Sequence, residues 1–152
     1  MSDWGAVQRV SAEVVLADGH VLEGDLHLAA LPTYPTATES PLEMLNRSDP
    51  FFALSLPQGG VVFVSKAQTA VVSCRDQSPL DPARASAARM VGIEVSVANG
   101  AEYRGRATYE LPAPRARTLD YVNGSERFFT VWTDHLARYI NKSLVRIIRP
   151  LD

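Results

Sequence analysis

Histidine and cysteine are the side chains best suited to bind a metal or carry a proton, and this chain has three of the first and one of the second. His20, His27 and His135 fall on separate segments, none at a metal-ligand spacing from another, and no cysteine or carboxylate cluster joins them. Cys74 stands alone, so it can neither close a disulfide nor complete a thiolate site; packing is its expected role. The sequence has no nucleophile motif, no phosphate-cradling glycine loop and no catalytic carboxylate pair. These residues predict a protein that is not an enzyme and takes no metal and no cofactor.

The remaining polar candidates would recognise rather than react. Tyr103, Tyr109, Phe128, Phe129 and Trp132 share the second half of the chain with Arg104 and Arg106. Most should pack a core, but an exposed aromatic beside either arginine would be a stacking platform for single-stranded nucleic acid. Arg117 and Asp120, three residues apart, suit an ion pair across a helical turn. Asn46 and Asn123 suit turn closure. Residues 1–80 carry a net charge of −5 and residues 81–152 of +3. Where the second half has Arg104 and Arg106, the first has Glu23 and Asp25, so phosphate neutralisation would fall to the second half. Halves of opposite charge are also suited to attract each other, within a chain or between copies.

What positions these residues is a repeat. "AEVVLADGHVLEGDLHL" (12–28) aligns without a gap on "IEVSVANGAEYRGRATY" (93–109), Phe51-Phe52 on Phe128-Phe129, and "FVSKAQTAVVS" (63–73) on "YINKSLVRIIR" (139–149). Each copy is a unit of about 60 residues. Period-two alternation of apolar residues predicts strands throughout, with Asp18-Gly19 and Asn99-Gly100 as tight hairpin turns with positive φ at both central residues. Three more short strands are expected near 51–56, 61–66 and 69–73, and near 127–133, 137–142 and 144–149. Gly24 and Gly105 interrupt apolar strand faces and mark sharp bends. Ser40-Pro41-Leu42-Glu43 has the form of a capping box, while Thr118 is placed to cap a turn ended by left-handed Asn123-Gly124.

The chain of 152 residues, 46% hydrophobic and 21% charged, has an ordinary globular composition. No apolar run is long enough to span a bilayer, no leader pattern opens the sequence, and a lone cysteine fits a cytoplasmic location. The expected division is a first repeat over 1–74, a linker over 75–90 with a short helix capped at Asp81, and a second repeat over 91–152.

The strand order, the turn glycine, the mid-strand glycine and the closing pattern around Lys66 and Lys142 resemble the Sm-like fold. The block "RTLDYVNGSERFF" (117–129) resembles more closely a bacterial family of Sm-like domains of unknown function, in which an Arg-x-x-Asp-Tyr-Leu-Asn string precedes a Phe-containing strand. The second repeat keeps Arg117, Asp120, Tyr121 and Asn123; the first has Ser40 for the arginine and Glu43 for the aspartate but keeps Asn46. The resemblance implies an all-β chain of two tandem five-stranded Sm-like, SH3-like small barrels with short helical turns, a fold that often assembles and binds RNA.

The function expected is a non-enzymatic protein-interaction or self-assembly module, with a protein partner or its own copies and no membrane. "TAVVS" and "VRIIR" each put adjacent β-branched residues on opposite faces of a last strand, so one face must seek cover. Val71 and Ile147 are expected inward, and Val72 and Ile148 outward at a protein interface. The alternative is RNA binding through the basic second repeat, by Arg104, Arg106, Arg117, Asp120, Asn123 and Lys142.

Overall fold

The computed structural model describes residues 8–29, 39–75, 89–109, 118–133 and 135–151. In chain order these form β1 (Gln8–Leu16), β2 (Val21–Leu28), α1 (Pro41–Asn46), β3 (Phe51–Ser55), β4 (Val61–Ser65), β5 (Thr69–Arg75), β6 (Arg89–Val97), β7 (Glu102–Tyr109), α2 (Thr118–Val122), β8 (Phe128–Thr133), β9 (Leu136–Asn141), a short 3-10 helix (Lys142–Leu144) and β10 (Val145–Pro150). The chain is all-β, as expected. Among the described residues no helix is long and apolar enough to cross a membrane. β5 and β6 each take residues from the expected linker, and the helix expected from Asp81 lies outside the described residues.

The arrangement of strands differs from the expected pair of separate barrels. All ten strands join in one antiparallel sheet, in the order β10-β6-β7-β8-β9-β5-β1-β2-β3-β4, and the sheet does not close. Each half nevertheless has the same internal order, its last strand beside its first and then the second, third and fourth. What joins them is β5 pairing with β9, from Val71 opposite Ile140 to Arg75 opposite Leu136. The edge of one half satisfies its backbone on the edge of the other, as an unpaired strand with apolar faces requires.

Local chemistry explains the elements. The first hairpin closes by Leu16 N–H donating to His20 O (2.8 Å) and Gly19 N–H to Leu16 O (2.9 Å), and the second repeats this with Val97, Gly100 and Ala101. These are three-residue loops ended by glycine at φ +93° and +92°, rather than two-residue turns. Asp18 and Asn99 serve the same purpose by accepting the N–H two residues on. The Ser40 capping box forms as expected: Glu43 N–H donates to Ser40 Oγ and Ser40 N–H to the Glu43 carboxylate. In the second half Thr118 is already helical, and Gly124 is not left-handed; α2 ends instead on Asn123 N–H to Leu119 O and Gly124 N–H to Tyr121 O.

Gly24 and Gly105 occupy equivalent corners. A Cβ on Gly24 would run into the carbonyl oxygen of Ser55, and one on Gly105 into that of Trp132. The missing side chain lets β2 approach β3, and β7 approach β8, where each pairing begins.

Two apolar cores result. Val14, Leu26, Met44, Leu45, Leu54 and Val72 pack one; Ile93, Val95, Val97, Val131 and Ile140 pack the other. Cys74 sits in the first, where burial pushes its thiol up to about 12. The facing of the last strands is the reverse of that expected. Val72 points into its own core and Val71 into the core of the other half; Ile148 packs inward while Ile147 is exposed. Two adjacent β-branched residues carry no phase of their own. The first strand of each half sets it: Val72 lies opposite Val14, and Ile148 opposite Val95.

Candidate functional site

The junction between the halves is built by reciprocal insertion. From the first half, Val15, Ala70 and Val71 enter the second core; from the second, Phe128, Ala137 and Tyr139 enter the first. Asn46, the last residue of α1, holds the backbone of Phe128 across the junction. Phe128 N–H donates to Asn46 Oδ1 (2.8 Å), and Asn46 Nδ2 donates to Phe128 O (3.2 Å). Fully buried Asn141 fills the far end, its Nδ2 donating to Lys66 O (3.1 Å) and Thr69 O (3.0 Å) and its Oδ1 accepting from Ser143. Arg138 donates to Ser73 Oγ (3.2 Å) and lies over the Tyr103 ring, 5.1 Å from its centroid.

The two conserved-in-repeat lysines hold each helix end to its own half. Lys66 is fully buried and donates to Met44 O (2.8 Å) and Arg47 O (3.1 Å), while Lys142 donates to Gly124 O (3.1 Å). Burial lowers the pKa of both, because the ammonium gives up water for carbonyls.

The sheet leaves β4 and β10 as its two edges. Exposed apolar residues on β4, on β10 and at the start of β3 beside β4 are the repeat counterparts of those sealed at the junction. Phe128 is 0% exposed and Phe51 55%; Tyr139 is 8% and Phe63 74%; Val71 is 0% and Ile147 58%. Val61, the counterpart of buried Ala137, is exposed as well. Identical unit positions thus differ only in whether a neighbouring half covers them.

The residues expected to bind RNA are spread out. Arg104 is exposed and paired with Glu94 (3.2 Å), Arg106 is exposed, Asp120 is half-buried on α2, Asn123 is exposed just past it, and Lys142 is engaged with Gly124. Arg117 lies outside the described residues. An open concavity of about 470 Å³ is lined by Tyr103, Arg104, His135 and Arg138 among others; of the described candidates only Arg104 reaches it. Among the described residues no group of histidine, cysteine and carboxylate side chains could hold a metal. His27 accepts or donates to Ser55 Oγ (2.6 Å), and burial lowers its pKa.

Of the two expected interface residues, Val72 is fully buried inside the chain, opposite Tyr139 at the junction between the halves, and Ile148 packs against the second core; the most exposed apolar residues of the edges are Ile147 on β10 and Phe63 on β4. Sequence reasoning missed Asn46 and Asn141 as junction groups. The signal for Asn141 was a mismatch between copies, since Ser65 stands at its counterpart. No family model, curated protein or solved structure matches this chain.

Proposed function

We propose that the chain is a non-enzymatic interaction module that binds protein, a partner or its own copies, by strand addition at the two open edges of its sheet. One observation carries this: β5 and β9 have already recruited each other in that way, and the side chains sealed there have exposed apolar counterparts on β4 and β10. The strand order shared by the halves supports reading each as one Sm-like small barrel opened toward its neighbour.

RNA binding is the second reading, and the concavity in which Arg104 and Arg138 flank Tyr103, with Glu102 also in its lining, favours it. Purification of the full chain from its native cell, with and without nuclease, separates the two. A protein or self-association that survives nuclease and is lost in Phe63→Glu supports the interaction module. Nucleic acid that is retained by Phe63→Glu and lost in Arg104→Glu overturns it in favour of RNA.

A further inference from the structure

We infer that the concavity beside Tyr103 is a ligand site in its own right, separate from the sheet edges, and that it takes a small organic monocarboxylate with an apolar body, anchored by Arg138. This goes beyond the interaction reading and does not depend on it. Gly105 lets β7 close on β8 at a corner, and among the described residues the two strands pair only at Arg106 opposite Trp132. Beyond that corner, Glu102, Tyr103 and Arg104 of β7 and Leu136 and Arg138 of β9 line the concavity of about 470 Å³, within the roughly 300–1,000 Å³ of small-molecule sites. The first half has the same corner at Gly24 with other side chains around it. Leu22 stands where Tyr103 does, Glu23 where Arg104 does, Gly60 where Leu136 does and Val62 where Arg138 does. The unit folds without a guanidinium at this position, so Arg138 is an addition that its strand does not require.

Arg138 is held in place without being neutralised. It is half-buried, one guanidinium nitrogen donates to Ser73 Oγ (3.2 Å), and the guanidinium carbon lies 5.1 Å from the centroid of the Tyr103 ring. Both contacts fix its orientation, and neither brings a negative charge. Among the described residues Arg138 makes no ion pair. Glu13 stands opposite Ser73, and Ser73 opposite Arg138, which puts the backbone of Glu13 two strands away, about 9–10 Å. A guanidinium drawn out of water costs free energy until an anion meets its remaining N–H groups. The surroundings select which anion. Arg104 is already paired with Glu94 (3.2 Å), and Glu102 lines the same concavity, so the formal charges of Arg104, Arg138, Glu94 and Glu102 cancel. A polyanion gains little from a field that is neutral beyond contact distance. A phosphate dianion brings a second charge against Glu102. A single carboxylate matches the free donors of Arg138 with charge-assisted hydrogen bonds, and half-buried Leu136 and Tyr103 give its apolar body a surface to lie on.

The test uses the full chain with phenylacetate as the probe, followed by NMR. Binding should saturate, with the side-chain signals of Arg138 and Tyr103 among those that move. Arg138→Gln should weaken it about tenfold or more, and Arg104→Gln by about twofold at most, since that arginine is already paired. Melting of each variant checks that it folds. Glu102→Gln keeps the answer independent of any structural role of Arg138: it removes the opposing charge and should tighten binding about two- to threefold. Phe63→Glu, which breaks the edge in the interaction reading, should leave phenylacetate binding unchanged, so the two proposals fail separately. Equal binding of phenylacetamide, the uncharged analogue, overturns the inference, as does unchanged binding by Arg138→Gln or no saturation by phenylacetate up to about 10 mM. Inorganic phosphate that binds more tightly than phenylacetate overturns the carboxylate assignment. An oligouridylate that binds more tightly than phenylacetate and competes with it overturns the inference in favour of the RNA reading.

Discussion

Phe128 and Phe51 hold the same place in the repeated unit, and one is sealed while the other faces water. The same holds for Tyr139 and Phe63, and for Val71 and Ile147. The contrast belongs to the neighbourhood rather than to the unit. A half supplies β5 and α1 to one side and β4 to the other, and only β5 with α1 finds a covering half within the chain. Burial at this level is a property of pairs of units, so identical residues in the two copies should carry very different energies.

The largest expected difference tests this directly. Phe128→Ala should destabilise the fold by about 3–5 kcal/mol, because it empties a core position. Phe51→Ala in dilute protein should stay within about 0.5 kcal/mol, as an exposed substitution does. Urea unfolding of both variants measures the gap; equal losses would remove the contrast. The glycines sharpen it from the other side, since they lie inside each unit. Gly24→Ala and Gly105→Ala should each cost about 1–3 kcal/mol, and by similar amounts, because each new methyl meets a carbonyl of the adjacent strand. A loss confined to one half would mean the corners are not equivalent.

A smaller effect is expected at the asparagines. Asn46→Ala should cost about 1–2 kcal/mol through the two bonds to Phe128, whereas Asn123→Ala should leave the melting of the dilute chain unchanged. The smallest is a dependence on pH. The folded pKa of Lys66 is lowered from 10.5, chiefly by burial, so the unfolded chain binds more protons just below that pH. Stability attributable to Lys66 should therefore rise with pH up to about 10.5 and level off above it. Lys66→Met should flatten that rise, and chemical unfolding between pH 8 and pH 11 (about three units spanning the window) compares the two proteins.

Much of the fold was legible because the repeat states it twice. The places of the hairpins, the Ser40 cap and the mid-strand glycines follow from residue chemistry within one unit, whereas the loop length does not, since Asp-Gly and Asn-Gly also suit the two-residue turn that the chain does not adopt. The joining of the halves was not legible, because it depends on the pairing of residues 71–75 with residues 136–140, which no local pattern encodes. For the same reason Val71 and Val72 were assigned to the wrong faces: their phase comes from Val14 and Val15 across the ladder. Val72 and Ile148, expected to face outward, pack instead toward the core of their own half. Asn46 reads as a turn residue in sequence, and its bond to Phe128 spans 82 positions.

The pairing of β5 with β9 also sets a hazard of timing. A ribosome makes the first half first, and Val71 has its cover only when Ile140 has been made, about 70 residues later. At roughly 5–20 residues per second, the finished first half waits on the order of several seconds with Val15, Ala70 and Val71 uncovered. Every nascent chain on the same message presents that identical edge, and any completed neighbour can offer its β9 before the chain's own arrives. Exchange of halves between chains is then a route open during synthesis. Slowing translation over residues 76–135 should raise the yield of exchanged dimers among newly made molecules.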